Sequence, residues 1–187
     1  MTFKPIPGVL VLGLGHKARH GKDTCAQAML ESAPADVLRI GFADALYDYC
    51  RVKYAMGPKD ASLLQKVGVS ERAIDPYVWI KAVYYKILDK TPKVVVIPDV
   101  RFLNEAQFVK DMGGYTIKVE RRTADDRMYQ ADDRDPGHVS ETQLDDYSWD
   151  LTITNRELGT TRANAITAMR FFLGEFVSAR EEITFGR

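Results

Sequence analysis

An α/β fold organised around a mainly parallel sheet is predicted by three observations. Five apolar β-like runs punctuate the chain, at residues 8–14, 37–42, 94–98, 115–119 and 151–154. Helical patterns separate most of them, as crossover connections between parallel strands require. The first run also opens into a glycine-containing turn that leads directly into a helix-like stretch, Cys25-Ala26-Gln27-Ala28-Met29-Leu30.

That turn is the most informative segment. After Val9-Leu10-Val11-Leu12 the chain reads Gly13-Leu14-Gly15-His16-Lys17-Ala18-Arg19-His20-Gly21-Lys22-Asp23-Thr24. Strand, glycine turn, Gly-Lys-x-Thr and helix is the layout of a phosphate-binding loop. Successive backbone N–H groups at a helix N-terminus present partial positive charge to phosphate oxygens. Lys22 adds a full charge for the β/γ-phosphates, and Asp23 or Thr24 can hold Mg²⁺ directly or through water. The usual spacing puts the first glycine at position 16. His16 stands there instead, with Gly15 one place earlier, so the loop's first turn is expected to differ.

Between the second and third runs, residues 43–91 form an excursion too long for a plain crossover. Three helices are predicted there, broken at Gly57-Pro58 and at Asp75-Pro76, with Pro76 as a first helical residue. The stretch is read as a helical insert beside the sheet. The third run, Val94-Val95-Val96-Ile97, is apolar throughout, as a central strand buried on both faces should be. At its tip come Asp99, Arg101 and Glu105. An acid there is positioned like the second acidic site of phosphate-loop enzymes. Arg101 and Glu105 are spaced to pair across one helical turn, which would fix the guanidinium fork for a phosphate.

Residues 121–135 carry hardly any apolar side chains and interleave both charge signs. A solvated loop is the plain reading of such a run. Because it leaves the end of the fourth strand, the side of a parallel sheet where ligands bind, an arginine-bearing lid is the better one. Arg121, Arg122, Arg127 and Arg134 are its candidates, the last two ranked lower because aspartates flank them. The final helix, about 160–178, carries Ile166, Met169, Phe172, Leu173 and Phe176 at helical spacing and reads as core packing.

Composition narrows the function classes. At 187 residues the chain fits one domain with room for a full core. Lys+Arg and Asp+Glu balance at 26 each, so no global field favours a nucleic-acid polymer or an anionic membrane. No apolar run reaches the roughly 18 residues of a membrane helix, and no signal peptide opens the chain. Cys25 and Cys50 suggest small apolar fillers rather than a disulfide framework. His16, His20 and His138 are too scattered for a zinc site. A cytoplasmic globular protein is expected.

Further landmarks are Gly-Phe-Ala-Asp-Ala-Leu at 41–46, Leu-Leu-Gln-Lys-Val-Gly at 63–68 and Tyr-Val-Trp at 77–79. Asp-Val-Arg-Phe-Leu-Asn-Glu at 99–105 and His-Val-Ser-Glu-Thr at 138–142 complete the set. With the Gly-Lys-Asp-Thr loop, the sequence resembles the phage-type deoxynucleoside monophosphate kinases, within the P-loop nucleoside monophosphate kinase group. The likeness runs in order over about residues 8 to 165. It implies a three-layer, adenylate-kinase-like P-loop kinase fold in one domain, 1–187. That fold has a five-stranded parallel sheet, a monophosphate-binding helical insert at 43–91 and a lid at 121–138. It also implies transfer of the γ-phosphoryl of ATP, with Mg²⁺, to a deoxynucleoside monophosphate, serving nucleotide supply for DNA synthesis. Relatives are commonly dimers, though nothing in this sequence marks an interface.

Carried onto this chain, the resemblance assigns Lys22, Asp99, Arg101 and Glu105 to catalysis, with Glu105 holding Arg101. Gly15, Lys17, Arg19, His20, Gly21, Lys22, Asp23, Thr24, Arg121 and Arg122 would bind the donor, with Asp23 and Thr24 at the metal. Asp44, Gln65, Gly68, Trp79, Asp99 and Arg101 would bind the acceptor; Trp79 is either a wall against the nucleoside or a core tryptophan. Ser140 and Glu141 would cap the element after the lid. Ala45 and Tyr47 stand where relatives often carry Pro and Lys. If that lysine touches the acceptor phosphate, Lys53, Lys59 or Arg72 must replace it. The competing readings are another small-molecule kinase of the same scaffold, of phosphomevalonate or dephospho-coenzyme-A type, and a nucleotide-binding module without turnover.

Overall fold

Residues 1–33, 36–131 and 135–185 are described by a computed structural model. Each apolar run becomes a strand, with bounds shifted by a few residues: β1 (Leu10–Gly15), β2 (Val37–Arg39), β3 (Val94–Val100), β4 (Tyr115–Arg121) and β5 (Leu151–Asn155). All pair in parallel in the order β2-β3-β1-β4-β5. The second run is shorter than expected. Phe42 starts a helix instead of ending the strand, because Asp44 and Asp99 cap the backbone there.

Seven helices are present among the described residues: α1 (Lys22–Ser32), α2 (Phe42–Tyr54), α3 (Ala61–Ile74), α4 (Val78–Lys90), α5 (Leu103–Asp111), α6 (Val139–Thr142) and α7 (Leu158–Phe185). Three of them, α2 to α4, fill the predicted excursion. Pro76 is not the first helical residue. It precedes the N-cap Tyr77, whose N–H donates to the Asp75 side chain at 2.9 Å.

Strand periodicity sorts the core into two clusters, one on each face of the sheet. Leu10, Leu12, Leu14, Val94 and Val96 point to α1 and α7, against Ala26, Met29, Met169 and Phe172. Val11, Val95 and Ile97 point the other way, to Phe42, Ile80, Val83, Phe108 and Val109 of α2, α4 and α5. The result is a three-layer α/β fold of P-loop-kinase type, with β1 and β3 buried on both sides as their apolar runs demand. No described helix is long and apolar enough to cross a membrane.

Gly15 ends β1 where two elements converge. A Cβ there would lie 2.2 Å from the Trp149 ring and 2.7 Å from the Val100 carbonyl oxygen, a backbone atom that cannot swing aside. Gly15→Ala is therefore expected to destabilise the protein by about 1–3 kcal/mol, the usual cost of overpacking. Urea unfolding of the two proteins side by side measures it.

Candidate active site

The segments that leave the C-terminal ends of β1 and β3 carry the two main constellations, on the side of a parallel sheet where ligands bind. From β1 the chain turns through residues 16–21 into α1. His16 has φ +91°, Arg19 +57° and Gly21 +98°, so three residues of this short turn lie in the left-handed region. Only Gly21 is built for it. A Cβ at Gly21 would also come within 2.5 Å of Asn155 Nδ2, which donates to the His20 carbonyl at 3.0 Å. Thr161 in turn donates to Asn155 Oδ1 at 2.7 Å, so the end of β5 braces the loop. His16 occupies the usual glycine position in the left-handed region, with its ring buried. Burial and the neighbouring Lys118, His20 and Lys17 charges hold its imidazole down to about 3, so its 3.5 Å approach to Asp145 is not an ion pair.

Lys22 opens α1 and is 6% exposed. Its ammonium donates to the carbonyls of His16 and Lys17, folding back over the loop. Burial first, then the positive Arg101, lowers its pKa to about 7. A buried lysine whose hydrogen-bond partners are two backbone carbonyls is primed to hold its charge more firmly against an anion.

His20 and Lys17, both predicted to bind the donor, have partners inside the protein. The Arg121 N–H donates to His20 Nδ1 at 3.2 Å, which leaves Nε2 to donate to the Tyr129 carbonyl at 3.0 Å. Burial lowers the pKa of this ring, consistent with a neutral imidazole that ties the loop to the segment after β4. Lys17 donates to the Glu141 carbonyl at 2.8 Å and to Asp145 at 2.6 Å. Arg19 is exposed.

The second constellation lies at the tip of β3, the strand beside β1. Asp99 accepts from Phe42 N–H at 3.0 Å and Ala43 N–H at 2.8 Å, capping α2. Gly41 permits this, since a Cβ there would meet Asp99 at 2.7 Å. Burial pushes the Asp99 carboxyl pKa upward, while these two N–H groups pull it back. Asp44 accepts from Gly41 N–H at 2.7 Å in the same turn.

The expected Arg101–Glu105 side-chain pair does not form. Glu105 turns back to accept from the Arg101 and Phe102 N–H groups at 2.8 and 3.1 Å, as the third residue of a helix commonly does. Its other oxygen meets Arg72 at 3.3 Å. Burial and the nearby Asp99 push Glu105 up to about 7. The Arg101 guanidinium is held by Glu141 at 2.5 Å and by the Ser140 carbonyl at 3.4 Å. Glu141 thus does more than cap α6, a role that falls to His138, whose Nδ1 accepts from Ser140 N–H.

Asp23, Thr24 and Gln27 of α1 line a cleft of about 560 Å³ with Arg39, Leu158 and Arg162. Arg39 ends β2 and pairs with Asp23 at 2.8 Å. Its charge in the middle of the apolar run 37–42 was the available signal. The second Asp23 oxygen and the Thr24 hydroxyl make a sparse oxygen donor set on the first helical turn. That suits Mg²⁺, which keeps several waters and is bound largely through substrate phosphates. Among the described residues no group of three or more His, Cys, Asp or Glu could hold a metal by itself.

Of the three cations considered for the missing lysine, Arg72 reaches the second constellation. It lies 4.6 Å over the Phe102 ring and borders a cleft of about 300 Å³ with Pro76, Leu103, Asn104 and Gln143. Gly68, one turn earlier on α3, lies beside it: a Cβ there would meet Leu46 Cδ2 at 3.2 Å and the guanidinium at 3.4 Å. Gln65 is exposed on that helix. Lys53 instead joins Tyr49 and Glu71, and Lys59 lies 5.6 Å from the Tyr47 ring.

Trp79 is no exposed wall. It is 4% exposed and edge-on to Tyr49 at 5.7 Å, because it belongs to the buried stripe of α4 with Ile80, Val83 and Ile87.

The segment after β4 folds back on itself through an Arg122–Met128 bridge and a turn at residues 123–127. Arg121 stacks 4.2 Å over Tyr129, Arg122 is bound to Glu120 at 2.7 and 3.0 Å, and Arg127 pairs with Asp125. Arg134 lies outside the described residues.

A glycine-bearing strand–loop–helix with a buried lysine, set on the central sheet of a three-layer architecture, gives the chain a P-loop-kinase-like α/β fold. No protein-family model matches the sequence. A stretch of 75 residues, 40% of this chain, is 37% identical to a protein of Acanthamoeba polyphaga mimivirus named "Putative deoxynucleotide monophosphate kinase". The chain covers 35% of that protein's length.

Proposed function

We propose that the protein is a deoxynucleoside monophosphate kinase, transferring the γ-phosphoryl of ATP to the phosphate of a deoxynucleoside monophosphate. The observation that carries this reading is the convergence of two cations from neighbouring strand ends. Lys22 opens the helix after β1, and Arg101 follows the neighbouring β3, where Glu141 accepts both from its guanidinium and from the Ala18 N–H of the Lys22 loop. A nucleotide-binding module needs the first group; phosphoryl transfer uses both. The mimivirus protein's name points to the same acceptor class.

The chemistry asks little of the side chains beyond placement. An acceptor phosphate oxygen attacks the γ-phosphorus, and the bond to the β,γ-bridging oxygen breaks to leave ADP. With a second pKa near 6 the acceptor phosphate is largely deprotonated at neutral pH, so no general base is required. The loop N–H groups and Lys22 hold the donor, while Arg101 meets the acceptor or the moving phosphoryl group in line. Mg²⁺, when bound, adds charge neutralisation on the phosphates, with Asp23 and Thr24 as its protein-side oxygens. Arg72 supplies the further cation at the acceptor, reached across Phe102 and Glu105. Residues 43–91 form the acceptor side, and 121–138 the lid, with Arg121 its best-placed cation and His20 its tie to the loop.

ADP release coupled to a panel of deoxy- and ribonucleoside monophosphates tests the reading. ADP should form only when a monophosphate acceptor is present, and more readily with the deoxy series. Turnover with phosphomevalonate or dephospho-coenzyme A alone would assign the scaffold to another kinase, and no turnover with any acceptor would make it a binding module.

A further inference from the structure

The two phosphate-binding constellations are joined by one side chain that neither motif contains. Glu141 lies on the four-residue helix α6, with its side chain 7% exposed. One oxygen, Oε2, accepts from the Ala18 N–H in the middle of the phosphate loop at 2.7 Å. The other, Oε1, accepts from Arg101 Nη1 at 2.5 Å. Flanking bonds repeat the pattern. Lys17 donates to the Glu141 carbonyl, Arg101 reaches the Ser140 carbonyl, and Leu103 N–H donates to Gln143 Oε1 at 2.9 Å. Residues 140–143 are therefore wedged between the loop after β1 and the turn after β3.

We propose that Glu141 is the positioning residue that sets the transfer arginine against the donor loop. The inference rests on the kinase reading above and deepens it. A single carboxylate with one oxygen on each side converts two independently flexible groups into one rigid unit. The planar guanidinium makes the link directional, because a forked donor held at one end has fewer orientations left for the phosphate it meets. Glu141 touches neither reacting atom and acts through Arg101.

The test compares Glu141→Gln, Glu141→Asp, Arg101→Ala and the Arg101→Ala/Glu141→Gln double variant in steady-state assays on the full chain. Glu141→Gln leaves one acceptor and presents an N–H₂ to a partner that is itself a donor. Its kcat is expected to fall about 10–100-fold, a positioning-scale loss, with the KM for each substrate changed little. Glu141→Asp keeps the charge but falls short of spanning both partners, and should recover only part of the rate. The double variant should be no slower than Arg101→Ala alone, because the carboxylate has nothing left to position. Losses that multiply, or a Glu141→Gln enzyme at the parent rate, overturn the proposal. A variant that merely folds poorly would lose active fraction without this non-additivity.

Should the parent chain phosphorylate no acceptor, the kinase reading fails by itself, and the linkage remains measurable. In ¹⁵N NMR, the Ala18 amide should exchange slowly and the Arg101 guanidinium N–H resonances should be resolved, both lost in Glu141→Gln. Unchanged Ala18 exchange and Arg101 resonances in that variant would show that the link does not exist.

Discussion

Lys22→Met is expected to reduce phosphoryl transfer by at least about 10²–10³-fold, the scale on which losing one preorganised charge at a reacting centre registers. The loop around Lys22 explains why the effect should fall on chemistry rather than folding. Its ammonium is buried against the His16 and Lys17 carbonyls, with the like charge of Arg101 nearby. The unliganded protein therefore tolerates this group at a cost, and on the proposed kinase reading a triphosphate would remove that cost by supplying the missing anion. Methionine keeps the stem's volume and apolar packing while deleting the charge.

The shifted pKa gives the same variant two further signatures. Lys22 titrates at about 7 in the folded chain against 10.5 for an ordinary lysine. Below pH 7 the buried charge burdens the fold fully, on the order of a few kcal/mol. Between about pH 7 and 10.5 the unfolded chain binds the proton more tightly, so stability rises with pH; above that window the burden is gone. The parent should thus gain on Lys22→Met in paired urea melts as pH rises from 7 to 9.5. Parallel curves would mean that the ammonium is not burdened. At pH 8, ATP binding should draw up to one proton from solution as the phosphates restore the charge. Calorimetry in buffers of different ionisation enthalpy reads that uptake, and the methionine variant should lack it.

What could be read in advance follows the distance over which each feature is encoded. The five strands and the helices between them follow from runs and periodicities a few residues long, and the loop from twelve consecutive positions, 13–24. Side-chain partnerships are another matter. Arg101 and Glu105, four apart, looked like the natural pair, yet Glu105 serves the backbone at the start of α5. Arg101's partner is forty residues on, in a polar helix of four residues with no periodicity to reveal it. Trp149 behind Gly15, Asn155 behind Gly21 and Arg39 beside Asp23 are equally non-local, each brought in by the strand order. Trp79 went the other way: its spacing to Ile80, Val83 and Ile87 already marked a buried stripe.

Arg101→Ala is expected to cost about 10²–10³-fold in kcat, with the KM for ATP nearly unchanged, because the contact it removes strengthens as charge moves between the two phosphates. Arg101→Lys should recover little of the rate. An ammonium is a point charge, and it can neither fork across two phosphate oxygens nor hold the directional bond to Glu141. Stability and rate should separate in this series. Alanine at 101 strands a buried carboxylate, a defect worth about 1–3 kcal/mol, and Glu141→Gln in the same chain should return much of that loss in urea melts while restoring none of the turnover. Recovery of turnover in that double variant would move the transfer charge elsewhere in the cleft, with Arg72, 3.3 Å from Glu105, the next cation to replace.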